Sequence, residues 1–410
     1  MTADDNGVPS VRIPAPLPDG VSRETIGVRG GLLRSGFDET SEGLYLTSGY
    51  VYDSAAEAEQ AFTGEIDRFV YSRYGNPTVA MFEERLRLIE GAEAAFATSS
   101  GMAAVFTGLG ALLGAGDRLV AGRSLFGSCF VVCNEILPRW GVETVFVDGT
   151  DLDQWEQALS KPTKAVFFET PSNPMQSLVD IAAVSEMAHA VGAKVVLDNI
   201  FATPLLQQGL PLGVDVVIYS GTKHIDGQGR VLGGAILGDK EYIGGPVQTL
   251  MRHTGPSLSP FNAWVLLKGL ETLSVRVNYS TVAALRVAEF LEGHPGVRWV
   301  RYPFLASHPQ HDLAKRQMTG GGTVVTFELD APEGQGKQRA FEVLDKLSVI
   351  DISNNLGDSK SLITHPATTT HRAMGPEGRA AIGLGDAVVR ISVGLEGTED
   401  LIADLDRALS

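Results

Sequence analysis

An α/β architecture, with a mostly parallel central sheet covered by helices on both faces and a smaller C-terminal α+β domain, is predicted by three features of the sequence. Apolar runs rich in Val, Ile and Phe recur along the middle of the chain: AAFATS, DRLVAG, ETVFVD, KAVFFET, AKVVLDN, VDVVIYS and LGGAIL. Helix-length segments such as 76–90 and 181–191 lie between several of them. Strands that are apolar without alternation are buried on both faces, which is the mark of a parallel sheet between helical layers. The third feature is composition: 44% apolar and 20% charged residues over 410 positions supply enough material for a large core.

The elements follow in order. The first twenty residues hold four Pro and two Gly among acidic residues and read as a mobile arm; 21–65 is punctuated by Gly and Ser with little periodicity. Residues 66–255 form the large domain, with right-handed crossovers expected between its strands. From 256 the texture changes. A long helical stretch at 261–291 leads to strands at 323–328 and 388–393 and helices at 338–347 and 400–409, a small domain of 256–410.

The net charge is −16, which argues against a nucleic-acid partner. Cys129 and Cys133 are the only cysteines, so a disulfide framework is excluded and a cytoplasmic setting is expected. No cationic stretch followed by an apolar block is present near the start, so no signal peptide is expected. The uncharged stretch 94–116 is long enough to span a bilayer, but its Ala, Gly, Ser and Thr content reads as strand, loop and helix.

Ligands in such sheets bind beyond the carboxyl ends of the strands. AKVVLDN places Asp198 there, where a buried carboxylate needs a partner; alone it reads equally as a helix cap or a structural ion pair. After the next strand comes Ser220-Gly221-Thr222-Lys223, hydroxyls and amides suited to an oxyanion beside a lysine that alone reads as a surface lysine. Together these residues match what pyridoxal phosphate requires: an amine for its aldehyde, an acid for its ring nitrogen and a cradle for its phosphate. Gly101 and Met102, opening a helix, add free amides that favour bound phosphate.

Six ordered segments carry a resemblance to a known family: YSRYGNPT (71–78), SSGMAA (99–104), ETPSNP (169–174), DNIFATP (198–204), SGTKHIDGQG (220–229) and VVRISVGLE (388–396). The chain resembles the Cys/Met-metabolism enzymes that use pyridoxal 5'-phosphate, over about residues 20 to 408. The resemblance implies the pyridoxal-phosphate transferase fold type I. It implies Lys223 as covalent anchor and proton shuttle, Asp198 as partner of the ring nitrogen, and Gly101, Met102, Ser220 and Thr222 as the phosphate cup. It also implies Phe126 over the ring, Asn173 near the ring oxygen and substrate, and Asn355 with Arg390 holding the substrate's amino-acid end. Tyr71 and Arg73 are implied to reach the phosphate of a neighbouring subunit, in a homotetramer built from dimers that share active sites.

Three positions depart from the common pattern: Phe126 where many members have tyrosine, Ile200 where Thr is frequent, and Asn355 where synthases and lyases have Ser. They count against a γ-lyase. The stretch NNLGDSKSLITHPATTTH (354–371) resembles the sulfhydrylase branch, which implies that a succinyl ester of homoserine and sulfide give homocysteine and succinate. Use of cysteine as sulfur donor, an acetyl ester, a γ-lyase and a non-catalytic homologue remain open alternatives. The rest of the polar residues read as structure. Cys129 and Cys133, four apart, read as buried thiols on one helical face, with no further ligands for a metal. His308 and His311 read as a solvated loop, and 320–322 as a turn. Gly108, Gly110 and Gly114 have the wrong spacing for a dinucleotide fingerprint, which counts against a nicotinamide dehydrogenase.

Overall fold

The computed structural model describes residues 13–410; the first part of the predicted arm, 1–12, lies outside the described residues. All seven apolar runs are strands: β1 (Ala94–Thr98), β2 (Arg118–Gly122), β3 (Glu143–Val147), β4 (Ala165–Glu169), β5 (Lys194–Asp198), β6 (Val216–Ser220) and β7 (Gly234–Gly238). They form one sheet in the order β1-β7-β6-β5-β4-β2-β3. Strands β2 to β6 pair in parallel, whereas β7 runs antiparallel to both β1 and β6.

Every residue of β2, β4, β6 and β7 is buried, which is why these strands lack a polar face. Val166 and Phe168 point into one packed layer, and Ala165 and Phe167 into the layer on the opposite face. The helix Pro77–Glu90 shows how the covering elements are specified. Asn76 caps its start through the Thr78 amide, Pro77 supplies a preset first turn, and Gly91 ends it with φ 81°. Met81, Phe82, Leu86 and Ile89 form its buried stripe. The uncharged stretch at 94–116 is β1 followed by the helix Gly101–Gly110, as expected. Among the described residues no helix is long and apolar enough to cross a membrane.

The segment 21–65 is more ordered than its texture suggests. It holds the helices Arg23–Arg29 and Ala55–Thr63, too short for a clear helical period to show in sequence. Between them, buried Glu42 ion-pairs with Arg85 and, at 2.8 Å, with Lys268.

A second sheet, β8 (Val297–Arg301), β9 (Val324–Leu329), β10 (Asp351–Ile352), β11 (Leu362–Thr364) and β12 (Val388–Ser392), has the order β10-β11-β12-β9-β8 and its own core. The predicted single helix at 261–291 is two, Pro260–Glu271 and Leu273–Gly293, meeting at Thr272. The longer one joins the cores: Leu273 and Val277 pack in the first, Val287 and Leu291 in the second.

His308 is not solvated. It is 4% exposed, its Nε2 lies 3.1 Å from the Gln176 carbonyl oxygen, and burial pulls its pKa down to about 4. A polar turn here is a docking turn, because a neutral imidazole can satisfy a buried carbonyl that water cannot reach. His311 opens the helix His311–Gln317, with Nδ1 2.9 Å from the Leu305 carbonyl oxygen. Cys129 and Cys133 are buried free thiols, as expected, in a helix that widens into a π-turn at Val132–Ile136.

Candidate active site

Parallel pairing sets the carboxyl ends of the central strands along one edge of the sheet. Strand β4 ends in Glu169, β5 in Asp198 and β6 in Ser220, and Glu169 and Asp198 are register partners. The turn after β6 carries Lys223 in a non-helical conformation, φ −92° and ψ −123°. A cavity of about 300 Å³ opens over this edge. Gly101, Met102, Ser220 and Thr222 line it beside the start of the helix Gly101–Gly110, and Phe126, Asn173, Asp198, Lys223 and Arg390 line the rest. Two wider clefts, of about 710 and 780 Å³, run along the N-terminal segment and contain none of the predicted site residues.

Lys223 donates from Nζ to Asn355 Oδ1 at 2.6 Å. Burial, with the nearby charge of Arg390, lowers its pKa to about 8. An ordinary lysine titrates near 10.5, so the uncharged, nucleophilic fraction at pH 7 is roughly 300-fold larger here. Covalent capture of an aldehyde by the cofactor-free protein should therefore rise with pH about a midpoint near 8. Stopped-flow absorbance after mixing with pyridoxal phosphate reads this directly, and a midpoint above 10 would show an unperturbed amine.

Arg390 reaches the site from β12 of the second sheet and is 1% exposed. Its Nη1 donates to Asn173 Oδ1 at 2.9 Å, and its Nη2 to the carbonyl oxygens of Asn354 and Asn355 at 2.9 and 3.3 Å. Its buried Nε has no hydrogen-bond partner among the described residues. Burial lowers its pKa to about 10, which leaves it charged at neutral pH. A buried guanidinium with a spare donor beside a cavity is suited to an incoming carboxylate.

The anionic side of the site is a pair. Asp198 accepts the Ile200 amide at 3.1 Å, and burial raises its pKa. Glu169 accepts the Phe126 amide at 2.9 Å and the Asn173 amide at 2.7 Å. Its pKa is raised well above the usual carboxylate range by burial and then by the charge of Asp198. Two carboxylates in one dry corner call for a cation.

These residues fit pyridoxal phosphate. An aldehyde would meet a buried amine already partly uncharged, and a ring nitrogen that gains a proton would meet Asp198. A phosphate would meet the amides of the helix at Gly101 together with Ser220 and Thr222. That corner of the cavity tolerates no side chain at its floor, since a Cβ on Gly101 would stand 2.5 Å from Ser220 Cβ.

Tyr71 and Arg73 are not brought into this cavity. Tyr71 is 42% exposed, and Arg73 donates to the Arg252 carbonyl oxygen with its guanidinium 4.8 Å from the Tyr74 ring centre. The residue that sequence reasoning passed over is Glu169. Its signal was available, because Glu169 closes the apolar run KAVFFE as Asp198 closes AKVVLD. Cys129, read as core, also lines the cavity, with Sγ 3.9 Å from Met102 Sδ.

The family described as Cys/Met metabolism PLP-dependent enzyme matches residues 24–410. The chain belongs to this family. It is 82% identical over 401 residues to O-succinylhomoserine sulfhydrylase of Mycobacterium tuberculosis, covering 98% of this chain and 99% of that protein. To the Pseudomonas aeruginosa protein of the same name it is 47% identical, covering 96% of each. A solved Campylobacter jejuni structure containing N'-pyridoxyl-lysine-5'-monophosphate superposes with a TM-score of 0.90 at 32% identity, covering 95% of this chain and 100% of that one. Both the fold type I architecture and dependence on pyridoxal phosphate are thus those of the Cys/Met metabolism family.

Proposed function

We propose that the protein catalyses γ-replacement on O-succinyl-L-homoserine, with sulfide entering and succinate leaving, to give L-homocysteine. The observation that carries this reading is the likeness along nearly the whole chain to proteins named O-succinylhomoserine sulfhydrylase. The cavity suits it, because a carboxylate clamp and a proton-moving amine face the same space.

Bound pyridoxal phosphate supplies the electron sink that makes carbanion chemistry at the substrate's α- and β-carbons accessible. Asp198 keeps a proton on the ring nitrogen, and Gly101, Met102, Ser220 and Thr222 hold the phosphate. Arg390 takes the substrate's α-carboxylate through its free Nε, while Asn173 and the two carbonyls fix the plane of the guanidinium. Lys223, with a pKa near 8, can accept the α-proton at neutral pH, and it returns protons at the α- and β-carbons. Asn355 orients Nζ for this transfer. Loss of the β-proton lets the C–O bond at the γ-carbon break, succinate departing with the electron pair. Hydrosulfide then forms the C–S bond at that carbon, and the protons taken earlier are restored. Phe126 and Ile200 line the cavity without a hydroxyl.

We read the active unit as a homotetramer built from dimers sharing active sites, in the reducing cytoplasm. Tyr71 and Arg73 then serve the phosphate of a second copy, a reading supported by the exposure of Tyr71 and by the absence of both from the lining of their own chain's cavity.

Steady-state kinetics test the substrate assignment. Succinyl, acetyl and phospho esters of homoserine are each supplied with sulfide or cysteine. The highest kcat/KM is expected for the succinyl ester with sulfide, and a preference for cysteine would reassign the chain to cystathionine synthesis.

A further inference from the structure

Asn173 and Phe126 come from different loops and are both placed against the cofactor by the reading above, on which this inference rests. Phe126 precedes the short helix Gly127–Val131 and has no side-chain cap of its own there. Asn173 presents Oδ1 to Arg390. One side chain joins the two: Glu169 takes the Phe126 amide on Oε2 and the Asn173 amide on Oε1. Glu169 is 5% exposed and lies beside Asp198 in the strand register. We propose that Glu169 is a positioning residue, a single carboxylate whose two oxygens fix the ring-facing Phe126 and the Arg390-orienting Asn173 at once.

The span and the second acceptor can be separated. Glu169→Gln keeps the length but turns one acceptor into a donor that opposes a backbone N–H. Glu169→Asp keeps the carboxyl group but is one methylene short of bridging both amides. A buried backbone N–H left without its acceptor is costly, so cofactor-free protein of either variant should bind pyridoxal phosphate roughly tenfold to a hundredfold more weakly. The visible circular dichroism of bound cofactor should shrink as the ring loses its fixed orientation. KM for the homoserine ester should rise more than kcat falls, through Asn173 and Arg390.

A residue that merely stabilises the fold would lower Tm and leave all three readings in place. Wild-type cofactor affinity and visible circular dichroism in either folded variant therefore overturn the proposal, whatever happens to Tm. Should Glu169→Gln fail to fold, Glu169→Asp decides. Phe126→Ala tests the underlying reading. Unchanged affinity in that variant removes Phe126 from the cofactor and overturns the proposal with it. A loss in Phe126→Ala with none at position 169 overturns the positioning role alone.

Discussion

Lys223→Ala should lower turnover by roughly ten-thousandfold or more, because one substitution removes both the covalent anchor and the group that moves protons. The fold has little reason to suffer. Among the described residues Lys223 makes one side-chain hydrogen bond, to Asn355, and its folded pKa of about 8 lies below the ordinary 10.5. A cation with a lowered folded pKa is held less comfortably in the folded state. That penalty is complete below about pH 8 and fades as pH rises toward 10.5. The cofactor-free variant should thus be at least as stable as wild type at pH 7, with the difference shrinking at alkaline pH. Thermal unfolding across that range checks the fold, while kcat and the visible absorbance of protein with added cofactor check the site. Wild-type turnover in a well-folded Lys223→Ala protein would exclude the proposed chemistry.

Arg390→Ala should cost about a hundredfold in kcat/KM, most of it in KM. The spare Nε is the means of holding the substrate carboxylate, and one charge-assisted hydrogen bond amounts to roughly 1.5–3 kcal/mol. The variant also leaves Glu169 without the guanidinium that draws its pKa down. Arg390→Lys separates the contributions: a lysine restores the charge but not the planar contact with Asn173 and the carbonyls of Asn354 and Asn355. Recovery is expected to be partial, read as the dissociation constant of an unreactive amino-acid analogue. If Arg390→Ala keeps wild-type catalytic efficiency, the carboxylate is held elsewhere.

The strand ends were legible because chemistry there is local. Asp198 and Lys223 each follow a continuous apolar run, and the run both builds the strand and delivers the side chain to the sheet's edge. Glu169 obeys the same rule and could have been read in the same way. Arg390 was assigned by resemblance alone, since nothing within β12 says that a strand of another sheet will turn it toward β6. Strand order was hidden for a similar reason: no feature of LGGAIL tells that β7 inserts antiparallel between β1 and β6. The break at Thr272 carries no Pro or Gly to announce it. His308 misled because a His-Pro-rich turn has the same composition whether water or a buried carbonyl faces it.

The helix Leu273–Gly293 has a bearing on which substrates fit. One of its ends is set in the layer that carries Lys223, and the other in the layer behind Arg390. The gap between amine and guanidinium is in this way held by a rod embedded at both ends, with contacts such as Thr326 to the Pro174 carbonyl oxygen beside it. A serine ester, one methylene shorter than its homoserine counterpart, anchored by the same carboxylate, would bring its leaving group up short of the position where the γ-carbon of the longer chain reacts.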